Sequence, residues 1–297
     1  MGKEVTNPDM STFTRQIDRT LAAQYGREAV EIGESGQYQA PSGVTVDIRE
    51  LLSPAVKGTV SYPPSASISG ENAGQYYTII EVVNETTLSA GKRLVKFGCH
   101  PVLLNFASAT NPGGGFLSGA RAQEEYLARS SCLYECIRSN TMYAFHREKY
   151  DPLYTDYLIY SPGVPVIRDD SGTLLEAPYT TSMITCAAVN ASQLLAKRRH
   201  EIGPAMMKRI CKVLSVGLTH KHDGIVLGAW DCGAFCNDGH EIARLFHDAL
   251  SNKFNGAYRR VIFAVVDWSP DRRFIGPFEE EFQFKGQPGA PSPSGNP

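Results

Sequence analysis

Four runs of this chain, YTIIEVV, PVLLNFASA, GIVLGAW and RRVIFAVVDW, are built on consecutive apolar residues instead of a regular alternation with polar ones. A strand with one solvated face alternates, whereas one covered on both faces has no reason to. These runs therefore predict strands buried between two layers. Segments with helical spacing lie between and around them: NETTLSAGKRLVKFG, AQEEYLARSSCLYECIRS, GPAMMKRICKVLSVGLTH and HEIARLFHDALS. The second presents Leu127, Cys132, Leu133, Cys136 and Ile137 as one buried face, and the third Met206, Ile210, Val213 and Leu214. DYLIYSPGVPVIRDDSGTLL reads as strand, turn and strand, and TSMITCAAVNAS as a strand ending in small residues. Such alternation predicts an α/β sandwich around a mostly parallel or mixed sheet.

The flanks read differently. STFTRQIDRTLAAQYG predicts a helix capped by Ser11, with Gly26 as its weak point or stop. Alternating Val44, Val46 and Ile48 predict a strand, and SYPPSASISGENAG a loop. Residues 1–10 read as frayed, and KGQPGAPSPSGNP as a disordered Pro/Gly/Ser tail. The division expected is an accessory N-terminal segment over 1–75, a core over 76–284 and a tail over 285–297.

A formal net charge of -2 excludes any general pull toward nucleic acid or an anionic membrane. No run approaches the roughly 20 apolar residues of a membrane span, and no segment has the apolar core of a secretory signal. The expectation is an intracellular protein, cytoplasmic or nuclear, without membrane or direct nucleic-acid partners. Seven irregularly spaced cysteines then read as free, mostly buried thiols in a reducing compartment. Cys232, Cys236 and His240 match no common zinc spacing, so no metal and no cofactor are expected. The acidic stretches DRT (18–20) and RDD (168–170) read as caps or turns.

In sheets of this kind ligands sit where strand ends run into helices. Two loops stand out there: NPGGG after PVLLNFASA, and CGAFCND after GIVLGAW. Three glycines let backbone donors approach an anion, and the helix that follows adds partial positive charge. Glu124 and Glu125 open that helix. Helical neighbours diverge by about 100°, so one carboxylate can face a ligand while the other orients it. Two close carboxylates also raise one pKa. A bare acidic pair would read as a solvated first turn.

GGG followed by QEE at this spacing resembles the signature of the poly(ADP-ribose) glycohydrolases, and the wider context resembles their microbial-type branch. The matching stretches are NETTL, LNFASATNPGGGFLSGARAQEEYLARSSCLY, YSPGVPVIRDD, LGAWDCGAF and VIFAVVD. The resemblance runs from about residue 12 to 284. It implies a macrodomain-like three-layer sandwich with a mixed sheet and an N-terminal helical extension, residues 76–284 being the catalytic core. It implies hydrolysis of ribose–ribose O-glycosidic bonds, exo-acting and without a metal. Glu125 would be the general acid/base and Glu124 its positioning neighbour. Gly113, Gly114, Gly115, Asn111, Gln123, Gly233, Ala234 and Phe235 would contact substrate, with Phe235 packed on the distal ribose. The partners implied are poly(ADP-ribose) or ADP-ribosylated protein, with ADP-ribose as product, in reversal of ADP-ribosylation and the DNA damage response. Two departures stand out: Cys186-Ala187, where relatives have a nearby proline, and Asp231, where relatives carry glycine. Removal of single ADP-ribose groups from protein or nucleic acid is the alternative activity. A non-catalytic ADP-ribose reader would need the glycines but not the glutamates. A Rossmann reading fails because GGG lacks the GxGxxG spacing.

Overall fold

The computed structural model describes residues 17–68 and 74–284. The frayed start, the Ser11 cap and the 285–297 tail expected from the sequence lie outside the described residues. A short antiparallel pair, β1 (Gln37–Gln39) and β2 (Thr45–Asp47), stands apart from a seven-stranded sheet. That sheet contains β3 (Val60–Tyr62), β4 (Ile79–Val83), β5 (Pro101–Phe106), β6 (Leu158–Arg168), β7 (Leu174–Cys186), β8 (Gly224–Leu227) and β9 (Arg260–Ala264). Its spatial order is β3-β6-β7-β5-β8-β9-β4. The β3–β6 and β6–β7 pairs are antiparallel, and the remaining pairs parallel. The sheet is therefore mixed, as the apolar runs predict.

The reason those runs lack alternation is visible in where consecutive side chains go. Val102 and Leu104 pack into one core cluster and Leu103, between them, into the other. Ile225/Val226/Leu227 and Val261/Ile262/Phe263 divide in the same way. The first cluster is closed by α7 (Ile202–Thr219) and α8 (Gly239–Ser251), through residues such as Met206, Ile210 and Phe246. The second is closed by α3 (Thr87–Lys96), α4 (Gln123–Ser130), α5 (Leu133–Ile137) and α6 (Thr141–Lys149), through Leu94, Leu127, Leu133 and Met142. Each fully buried aliphatic side chain contributes about 1.5–3 kcal/mol, so strands loaded on both faces lock the three layers together.

Three local expectations are corrected. The first helix among the described residues, α1, spans Arg19–Ser35 and passes through Gly26, and α2 follows over Arg49–Lys57. Asp18 is its N-cap, accepting from the Leu21 amide at 2.8 Å, as the cap reading of DRT has it. Gly26 is no stop. It is a contact point, because a Cβ there would sit 2.8 Å from the Phe116 carbonyl oxygen. The helix read through AQEEYLARSSCLYECIRS breaks at Ser131, which bridges to Val166 while the Cys132 amide bonds the Pro165 carbonyl at 2.9 Å. Cys132 consequently packs under α1 and Cys136 in the sheet's second cluster, not on one shared face. SPG forms a bulge inside β6, and the chain reverses at Asp169–Thr173, in keeping with the turn reading of RDD. Ser61 and Tyr62, read as loop, pair with Ile159 and Leu158 as the sheet's edge strand. The segment before residue 75 thus supplies both that edge and α1, which packs on α4 and the short turn Phe116–Ser118.

Substituting Gly26→Ala sets two effects against each other. Alanine gains roughly 1 kcal/mol of helix propensity, while crowding a packed contact costs typically 1–3 kcal/mol. The contact is to backbone and cannot rotate away, so the variant is expected to melt lower than wild type. Thermal denaturation checks the sign.

Candidate active site

The C-terminal ends of β4, β5, β8 and β9 open onto a cleft of about 450 Å³. Its walls come from Thr86, from Ala122 and Tyr126 of α4 and its approach, from Asp231 and Gly233, and from Trp268 and Phe274. Gly233 and Ala234, expected from the CGAF loop, line it and are exposed. Phe235 is half-buried, packs against the first core cluster and stands 6.3 Å from the Tyr154 ring.

Both glutamates lie at the first turn of α4 and both are buried. Glu125 is held at each oxygen: Oε1 accepts from the Gly115 amide and Oε2 from the Ala122 amide, each at 2.9 Å. The second contact is half of a capping box, an N3 glutamate reaching back to the N-cap amide. Glu124 Oε2 accepts from the Ser108 amide at 2.7 Å, while Oε1 is enclosed and has no partner. Burial pushes the Glu124 carboxyl well above its ordinary range, and Glu125 and Asp231 add to the effect. The two carboxylates do not diverge as helical neighbours would. They converge on Gly114, whose φ is 61°. A Cβ there would run into Glu125 Oε1 and lie 2.9 Å from Glu124 Oε2.

That contact changes the reading of the glycines. The Gly114 amide bonds the Asn111 carbonyl at 3.0 Å and the Gly115 amide is taken by Glu125, so these two donors serve the protein itself. Gly113, at φ 74°, turns the chain above Phe116. Asn111 is an exposed turn residue without the left-handed backbone its type tolerates. Gln123 neither orients a glutamate nor stands idle on the helix surface. Its Oε1 accepts from the Phe106 amide at 2.9 Å, and its Nε2 donates to the Leu104 carbonyl at 2.8 Å and to Thr87 Oγ1 at 3.1 Å. The side chain pins α4 to the end of β5.

Sequence reading missed three contributors to the cleft: Asp231, Trp268 and Phe274. The last two follow β9, which ends at Ala264; VVDW, read as strand, lies just past the strand's carboxyl end like the two loops that were noticed. Asp267 folds that segment, accepting from the amides of Ser269 at 2.8 Å, Phe274 at 2.8 Å and Ile275 at 3.0 Å. Among the described residues no cluster of His, Cys, Asp and Glu suits a metal ion. All seven cysteines are free, and Cys236 is exposed, contrary to its reading as a buried thiol. No helix among the described residues is long and apolar enough to cross a membrane.

A three-layer mixed-sheet sandwich with paired buried carboxylates on a helix whose Gln123 and Tyr126 line a strand-end cleft has the architecture of a macrodomain-like glycoside hydrolase. The sequence model for the microbial-type PARG catalytic domain matches residues 26–169. The structure is similar to that of poly(ADP-ribose) glycohydrolase from Thermomonospora curvata, at 45% identity and TM-score 0.84, covering 88% of this chain and 99% of that one. That enzyme bound to the inhibitor ADP-HPD matches at 45% identity and TM-score 0.82, with the same coverage. The Deinococcus radiodurans enzyme in complex with ADP-ribose matches at 40% identity and TM-score 0.74, covering 80% of this chain and 98% of that one. No curated protein sequence matches. The chain belongs to the microbial-type poly(ADP-ribose) glycohydrolase family, and the activity that accompanies this membership is hydrolysis of poly(ADP-ribose).

Two outcomes follow. Gly114→Ala forces a left-handed alanine, at about 1–2 kcal/mol, and displaces both carboxylates. Turnover is expected to fall about 100-fold or more with the fold retained, which steady-state rates and circular dichroism would check together. Glu124 has a raised carboxyl pKa in the folded state, so its contribution to stability is fullest below its ordinary 4.5 and is lost as pH rises through the folded value. Glu124→Gln is neutral throughout, so its melting temperature should gain on wild type as pH rises above the ordinary 4.5. A difference independent of pH would contradict this.

Proposed function

We propose that the enzyme removes ADP-ribose units from the free end of poly(ADP-ribose), with Glu125 as general acid and base. The observation that carries this reading is the convergence of both carboxylates on Gly114 beside the strand-end cleft. Cleaving a ribose–ribose bond needs a proton for the leaving hydroxyl and then a base for the attacking water. Glu125 has a fixed direction because the Gly115 and Ala122 amides grip both oxygens. An acid oriented in advance loses little when it meets substrate. Glu124 plays the other part. Its enclosed carboxyl, pushed well upward by burial, suits hydrogen bonding to a ribose hydroxyl.

ADP-ribose, the ligand of the Deinococcus enzyme's complex, is the product we assign to this cleft. A cleft of about 450 Å³ suits a single nucleotide-sugar unit. Trp268 and Phe274 offer aromatic surface for a base, while Gly233 and Ala234 put unobstructed backbone beside the diphosphate. Gly113, Gly114 and Asn111 shape the ribose end of the site, and Phe235 backs the distal ribose. The compartment we assign is a reducing one, cytoplasmic or nuclear, where free thiols persist, and the role we assign is reversal of ADP-ribosylation after DNA damage.

Glu125→Gln is expected to retain ADP-ribose binding and to lose about 10²–10⁴-fold in kcat, while Glu124→Gln chiefly raises KM. Unchanged turnover in Glu125→Gln, or the reverse division between the two variants, would overturn the assignment. Chromatography of early products tests direction: monomeric ADP-ribose supports action from the free end, and early release of long oligomers refutes it.

A further inference from the structure

Asp231 has no role in the mechanism above, and its placement calls for one. It holds a left-handed backbone, φ 54°, a conformation that favours glycine. The residue lines the cleft two positions before Gly233, yet its Oδ2 is enclosed and has no hydrogen-bond partner. A carboxylate in that state costs more than a surface one, because one of its oxygens has lost solvation without gaining a partner. The titratable groups around it give no relief. They are Glu124 and Glu125 from α4, Cys186 from the end of β7, and the adjacent Cys232. Both thiols are pushed up to about 12 by burial and stay neutral near pH 7. Arg121 and Arg129 line the same cleft, but neither makes a recorded ion pair with Asp231. The Asp231 carboxyl is pushed up to about 7, first by burial, with Glu125 raising it further against the pull of the Ala188 amide.

We propose that Asp231 is a specificity-determining residue that sets the cleft's affinity for the anionic diphosphate of ADP-ribose through its own charge. When the carboxyl is neutral, the Gly233–Ala234 backbone receives a diphosphate without opposition. When it is ionised, its negative charge stands in the same cleft, two positions before that backbone. Like charges brought together in a poorly hydrated site repel strongly. The inference rests on the assignment of ADP-ribose to this cleft. It extends that reading by making grip on the product weaken as the surroundings become more alkaline, which favours release of product over rebinding.

The test is calorimetric titration of ADP-ribose into the full chain, from about pH 5.5 to about pH 8.5, for wild type, Asp231→Asn and Asp231→Gly. Asparagine tolerates the left-handed backbone and glycine is at ease in it, so both variants are compatible with the native loop. Wild-type affinity is expected to fall about 10-fold or more across the range, with the decline centred near the Asp231 value. Both variants should bind with little dependence on pH and exceed wild type at the alkaline end. The ligand's diphosphate does not titrate in this window, so the slope reports the protein. A merely structural role would shift affinity equally at every pH. Variants that follow the wild-type slope, or a wild type with no slope, would overturn the proposal alone. Absence of ADP-ribose binding by the wild type at any pH would overturn the assignment of the cleft, and this inference with it.

Discussion

The site depends on two backbone amides closing on one carboxylate. Gly115 belongs to the glycine loop and Ala122 to the start of α4, and Glu125 ties them together. The loop can approach only because Gly114 has no side chain, since any Cβ would occupy the space of both glutamates. The helix keeps its register because Gln123 is bonded to the backbone at the end of β5. The Ser108 amide then fixes Glu124 from the same strand end. Loop, helix and strand thus meet around a carboxylate whose direction is fixed by two backbone amides, the kind of rigid support on which preorganised sites are built.

The arrangement is costly. Glu124 and Asp231 each hold an enclosed oxygen without a partner, in a protein whose other buried polar groups mostly have one. Such groups concentrate where function, not stability, sets the sequence. Both carboxyls are driven upward chiefly by burial, and each is raised further by Glu125. Glu124 and Asp231 are therefore the groups through which pH acts on this site.

Support comes from regions remote in sequence. α1 presses Gly26 against Phe116, and the Arg19 carbonyl stands where a Cβ on Gly119 would go, so the N-terminal segment braces the glycine loop from outside. Behind α4, the Tyr126 hydroxyl donates to Asp170, which also accepts from Thr86 at 2.9 Å and Ser89 at 2.7 Å. That network joins the helix carrying the glutamates to the β6–β7 reversal and to the start of α3.

Much of this was legible in the chain. Apolar runs without alternation determined that the strands would be covered on both faces, because residues such as Leu103 and Leu104 must each find a different core. The spacing of GGG and QEE identified the residues that converge, and strand-end loops located the cleft. Local pattern does not encode what a residue meets across the fold. Gly26 reads as a helix breaker until Phe116 packs against it, and Ser131 reads as helical until Val166 pairs with it. The glycine amides read as ligand donors until Glu125 takes one of them. Asp231 reads as a loop residue until its carboxyl is enclosed near Glu125. The sequence by itself determined the layers and the identity of the acids, through burial pattern and residue type. Only the tertiary structure decided their partners, directions and charge states, because hydrogen bonding and desolvation depend on groups brought together from distant parts of the chain.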